Sequence, residues 1–108
     1  MTHLDRLLAK GLRMKFAAVI EYTSDKAKIS AVRPVHRQYL AKLKAEGKLA
    51  ASGPFLDDSG ALIIYEADTR EEAETLLQND PFHQEGIFVR WQMRPWNPVL
   101  ANRSLFPE

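Results

Sequence analysis

The chain has 108 residues, enough for one domain and too short for two ordinary ones. A hydrophobic content of 45% supports a core, and a formal net charge of +1 gives no long-range field that would select nucleic acid or an anionic membrane. Cysteine is absent, which excludes thiol catalysis, thiolate metal sites and disulfides together and makes a cytoplasmic location the default expectation.

No apolar run approaches the roughly 20 residues needed to cross a bilayer. Residues 1–13 place Leu4, Leu7, Leu8 and Leu12 on helical spacing, but Asp5, Arg6, Lys10 and Arg13 break any continuous apolar stretch of the kind a secretory signal requires. Two readings stay open there: a short accessory amphipathic helix, or a segment ahead of a true start at Met14. Residues 15–22, KFAAVIEY, are dense in β-branched and aromatic side chains and read as a buried strand. A polar loop over 23–28 leads into a helix that ends at Gly47. Ser30 is a candidate N-cap, because Pro34 fits a helix only within about its first turn. Val32, His36, Leu40 and Leu43 lie on one face of this helix.

Residues 49–56 form a second strand interrupted by Gly53-Pro54. Pro54 cannot donate to a ladder, so this is an edge strand or the end of one. The turn cluster Asp57-Asp58-Ser59-Gly60 joins it to a third strand over 61–67, giving a hairpin. Thr69-Arg70-Glu71-Glu72 is a capping box that opens a second helix, with Ala73, Leu76, Leu77 and Asp80 on its inward face and Pro81 at its end. Ile87, Val89, Trp91 and Met93 alternate with Phe88, Arg90, Gln92 and Arg94, the pattern of a fourth strand. The domain therefore spans 14–98. A tail over 99–108 has little periodicity, although Leu100, Leu105 and Phe106 are available to dock on a neighbour.

The order β-α-β-β-α-β predicts an α+β, ferredoxin-like fold: a four-stranded antiparallel sheet with both helices on one face. In that topology His36, Gly53-Pro54-Phe55 and Asp80-Pro81-Phe82 converge at one end. His36 and Asp80 are polar groups on otherwise apolar stripes, each costing roughly 1–3 kcal/mol if left unsatisfied, and pairing them is the simplest resolution. With Asp80 at a helix C-terminus and His36 near an N-terminus, neither charged form is favoured by its own helix. A histidine held by a carboxylate in a cleft is a general base. The competing reading is structural: Asp-Pro-x-x is also an ordinary capping turn. Arg33 and Arg37 flank His36, and two readings stay open for them: cations that steer an anionic substrate, or, for Arg37 equally, a solvated helix face near acidic partners. Trp91 and Trp96 read as core or subunit contacts. His36, His83 and Glu85 lack the spacing of a metal site, so no metal is expected. An RNP1-like aromatic run is missing from the fourth strand, so RNA is not an expected partner.

The succession Arg33-Pro34-Val35-His36-Arg37-Gln38-Tyr39-Leu40, Gly47, Ser52-Gly53-Pro54, Gly60, Ala73, Asn79-Asp80-Pro81-Phe82, Gly86 and Arg94-Pro95-Trp96 resembles the YciI-like family over about residues 14–96. Each motif alone is weak, and their order and spacing together are fairly specific. The resemblance implies a dimeric α+β barrel, in which two four-stranded sheets pack face to face. It also implies an acid/base site made of His36 and Asp80, with Arg33, Ser52, Gly53, Pro54 and Phe82 as pocket neighbours. The family is related by fold to muconolactone-isomerase-like and small monooxygenase-like proteins, and some relatives eliminate chloride from a hydroxylated ring. The expectation is a homodimeric, cofactor-independent lyase or isomerase for a small, aromatic-derived substrate; the alternative is a non-catalytic small-molecule-binding or accessory homodimeric protein.

Overall fold

Strand formation follows the predicted order along the chain. The computed structural model describes residues 13–107, and the open question about the N-terminal segment falls outside them except at Arg13. The elements are β1 (Met14–Tyr22), α1 (Lys26–Ala45), β2 (Leu49–Pro54), β3 (Gly60–Ala67), α2 (Arg70–Gln78), a short α3 (Pro81–Gln84) and β4 (Phe88–Trp96), followed by a 3-10 turn at Arg103–Leu105. The strands form one antiparallel sheet in the order β2-β3-β1-β4, so the first and third strands are central. Pro54 and Pro95 both lie on edge strands, where a missing donor is tolerated.

Helix α1 begins earlier than its sequence suggests. Asp25, not Ser30, is the N-cap, and its side chain accepts from the Lys28 amide at 3.1 Å. Pro34 consequently lies inside a helix of 20 residues. Its lack of an N–H removes one backbone bond, and the buried stripe of Ile29, His36, Leu40 and Leu43 holds the helix on the sheet regardless. His36 is therefore mid-helix, not in the early turns. At the other end Gly47 adopts φ 73°, and Lys48 and Gly47 donate to the carbonyls of Leu43 and Lys44 at 2.8 and 3.1 Å. This is a Schellman closure, with glycine at the left-handed position.

Helix α2 is capped as predicted by Thr69, which accepts from the Glu72 amide at 3.1 Å, while the Glu72 carboxylate reaches back to the Asp68 amide at 3.0 Å. Arg13 pairs with Asp68 and Glu72 across the same corner. The helix stops at Gln78, two residues before the expected end. Asp80 is instead the N-cap of α3, with Pro81 at that helix's first position.

The core lies between the helices and one sheet face, built on Phe16, Ala18 and Ile20 of β1, Ile63 and Tyr65 of β3, and Leu43 and Leu77 from the helices. In β4 a bulge opposite Glu21 and Tyr22 shifts the register, because Tyr22 pairs with Phe88 and Glu21 with Arg90. Phe88 is buried as a result and Val89 is exposed, the reverse of the strict alternation expected for those two residues. Trp91 and Met93, beyond the bulge, face the core as expected. The opposite sheet face carries Val19, Leu62 and Trp96, exposed by 49%, 41% and 49%. In the tail, Val99, Leu100, Leu105 and Phe106 are exposed. Among the described residues no helix is long and apolar enough to cross a membrane.

Candidate active site

His36 and Asp80 come together from elements 44 residues apart, with Nδ1 of the imidazole 2.7 Å from Oδ1 of the carboxylate. Both are buried, at 6% and 0% exposure, and they are the buried polar pair of the core. Oδ1 of Asp80 also accepts from the Phe82 amide at 2.9 Å. One carboxylate oxygen thus caps α3 and holds the imidazole. The position of Asp80 differs from the expected one: it stands at the N-terminus of α3 as its cap, not at the C-terminus of α2. A carboxylate only accepts, so where Asp80 is ionised Nδ1 of His36 is the donor in this contact.

Aromatic rings fix the plane of the imidazole. Phe82 stacks on it with centroids 3.8 Å apart and planes 1° from parallel. Phe88 meets it edge-on at 6.2 Å, and Tyr22 meets Phe82 edge-on at 5.4 Å. Neither Tyr22 nor Phe88 was a site candidate from sequence. The position of Tyr22 at the end of β1 was a usable signal, whereas Phe88 is brought in by the bulge, which leaves no local mark.

A cavity of about 340 Å³ opens on one side of His36, between α1 and the β2 edge of the sheet. Ser52, Gly53 and Pro54 form its strand wall, and Tyr22 and Ile63 also line it. From α1 come Arg37, Leu40, Ala41 and Lys44 along with His36. Two expected neighbours are placed differently. Phe82 backs the imidazole from within the core without lining the cavity. Arg33 is outside the lining, its guanidinium 2.6 Å from Asp58 in the β2–β3 turn. That ion pair removes Arg33 from the set of free cations and ties α1 to the hairpin.

Three phenols feel the charge of Asp80, and burial raises the pKa of each. Burial pushes the Tyr22 hydroxyl up to about 12, opposed by the Arg33 guanidinium and reinforced by Asp58 and Asp80. Burial, with the Asp80 charge behind it, likewise pushes Tyr39 up to about 12, and its hydroxyl donates to the Leu76 carbonyl at 2.7 Å. Tyr65 is pushed well above the ordinary tyrosine value by the same two causes.

His83 lies away from this cavity, 3.1 Å from the Gln78 carbonyl and edge-on to Trp91 at 5.3 Å. No group of three or more His, Cys, Asp or Glu side chains able to hold a metal occurs among the described residues.

Known proteins share this arrangement of chain. A solved structure of the 5-chloro-2-hydroxyhydroquinone dehydrochlorinase TftG from Burkholderia phenoliruptrix AC1100, in complex with 2,5-dihydroxybenzoquinone, superposes with a TM-score of 0.69 at 28% identity, covering 78% of this chain and 94% of that one. Protein YciI from Escherichia coli O6:H1 (strain CFT073) is 29% identical over 93 residues, covering 73% of this chain and 95% of its own length. An uncharacterized Bacillus subtilis protein, YjpA, is 39% identical over 51 residues, and the matched part spans 47% of this chain and 60% of that protein. The family model of the YCII-related domain matches residues 14–97, from the first residue of β1 to just past the last of β4, and the chain therefore belongs to the YCII-related, or YciI-like, family.

Proposed function

We propose that the chain is a cofactor-independent acid/base enzyme, of lyase or isomerase type, acting on a small aromatic-derived substrate in the cavity beside His36. The observation that carries this reading is the 2.7 Å contact of His36 Nδ1 with the capping carboxylate of Asp80, at the wall of a cavity. With Asp80 ionised that contact fixes the tautomer, and stacking on Phe82 fixes the ring plane. Nε2 is then positioned to take a proton from a substrate hydroxyl or acidic carbon, while Asp80 stabilises the imidazolium that results. The electron pair left on the substrate either expels a leaving anion, completing an elimination, or shifts a double bond and is reprotonated from the imidazolium at another carbon, completing an isomerisation. The dehydrochlorinase activity named for TftG, a relative of the same fold, supports the elimination form.

The active form in this proposal is a homodimer joined through the open sheet face, which carries Val19, Leu62 and Trp96.

Turnover of a panel of chlorinated and hydroxylated aromatics and of lactones, by wild type and His36→Ala, tests the chemistry. General acid–base catalysis contributes on the order of 10²–10⁴ in rate, so the expected result is a loss of at least about 100-fold with an unchanged circular dichroism spectrum. Equal turnover by the two proteins overturns the assignment of His36. A ligand that binds tightly and is recovered unchanged points to a binding protein.

A further inference from the structure

The charges around the cavity are one-sided. Its lining holds Arg37 and Lys44 and no aspartate or glutamate, in a chain whose acidic and basic residues nearly balance at 14 and 15. Several basic groups elsewhere on the domain are paired with carboxylates: Arg13 with Asp68 and Glu72, Lys15 with Glu66, Arg33 with Asp58 and Arg90 with Glu21. Arg37 and Lys44 have no such partner among the described residues. The carboxylate of Asp80 is engaged by His36, and that of Asp58 by Arg33.

The two cations are also spaced. Arg37, Ala41 and Lys44 follow one another at intervals of four and three along α1, so they share a stripe. At about 1.5 Å rise per residue, the two basic positions are roughly 10 Å apart along the helix. Between them stands Ala41, the smallest side chain on that stripe, which leaves room against the wall of Ser52 and Gly53. The cavity volume of about 340 Å³ falls near the lower end of small-molecule sites, roughly 300–1,000 Å³. It suits a ligand of ring size.

We propose that this cavity takes a small dianion whose acidic groups sit at opposite ends of a ring or a chain of similar length, one met by Arg37 beside His36 and the other by Lys44. The proposal rests on reading the cavity as the substrate site, and it specifies the substrate class. Arginine meets a carboxylate with two parallel donors and so fixes its orientation, whereas lysine supplies a mobile point charge. The end held by Arg37 is therefore the oriented one, and it is the end next to the imidazole. Lys44 supplies affinity at the far end and little orientation.

Calorimetric titration of the full chain with terephthalate and with benzoate, at low and at high salt, tests this directly. The para dianion is expected to bind at least tenfold more tightly than the monoanion, and the preference is expected to shrink at high salt. Arg37→Gln and Lys44→Gln should each weaken terephthalate about tenfold. Lys44→Gln should leave benzoate within about twofold. Lys42→Gln, which removes a neighbouring charge of α1 that does not line the cavity, should change neither ligand. Equal affinities for the two acids, failure of both to bind at millimolar concentration, or equal effects of Lys42→Gln and Lys44→Gln overturn the proposal. His36→Ala separates it from the catalytic reading. Charge-dependent terephthalate binding retained in His36→Ala supports the dianion site even if no turnover is found. Turnover that depends on His36 with no preference for the dianion removes this site and leaves the chemistry standing.

Discussion

Oδ1 of Asp80 serves two structural purposes at once, and substitutions can separate them. Asparagine keeps an acceptor for the Phe82 amide, so Asp80→Asn retains the cap and loses only the charge-assisted contact with His36. Asp80→Ala loses both. A lost cap costs about 1 kcal/mol, and a buried imidazole without a partner about 1–3 kcal/mol more. Urea unfolding of Asp80→Ala is therefore expected to show a loss of roughly 2–4 kcal/mol, with Asp80→Asn clearly less affected; equal losses would mean that the cap contributes nothing. The tyrosines make a second prediction. The values of Tyr22 and Tyr39 are raised to about 12, and that of Tyr65 is raised as well. A raised folded value means that their contribution is complete below the unfolded value of about 10. Above it the unfolded chain releases its phenolic protons first, and stability falls as pH rises toward 12. Near-ultraviolet absorbance at pH 10.5 should show almost no tyrosinate in native protein, and a normal fraction of it in urea. The proximity of His36 to Asp80 was legible in the sequence because two polar residues on apolar stripes need each other. The helix position of Asp80 was not, since a break of two residues between α2 and α3 turns a helix end into a helix start.

Backbone approach decides what each element tolerates. A methyl group added at Gly60 would lie 1.9 Å from the Ile20 carbonyl oxygen, where β3 presses against β1. Both partners are main chain in the central strand pair, so neither can swing aside. Gly60→Ala is expected to destabilise by about 1–3 kcal/mol or more, read as a lowered urea midpoint with unchanged slope; a midpoint equal to wild type would show that the strands can part at no cost. The four strands, their order and the Thr69 cap were legible from periodicity and punctuation. Three local features were not. Asp25 starts α1 a full two turns before Pro34, because the packing of Ile29 outweighs the bond that proline removes. The β4 bulge exchanges the faces of Phe88 and Val89, and a bulge of one residue leaves no trace in an alternating pattern. Arg33, adjacent in sequence to the candidate site, is drawn to Asp58 across the hairpin turn, a partner that only the folded chain supplies.

On the scale of the domain, one sheet face is covered by helices and, among the described residues, the other is open, with Val19, Leu62 and Trp96 each exposed by more than 40%. A chain of this size buries a limited share of its surface alone, and a second copy would cover the open face. Sedimentation velocity at micromolar concentration is expected to give a dimer for wild type and a monomer for Leu62→Glu. A wild-type monomer would contradict assembly through this face. The connection between α1 and the start of α3 has a consequence for biosynthesis. The imidazole is supplied by the first half of the chain and its carboxylate by the second, across 44 positions. A nascent polypeptide or a truncated fragment lacking Asp80 lacks the carboxylate that orients the proposed base, so any turnover recovered after dilution from denaturant would report the completed molecule alone.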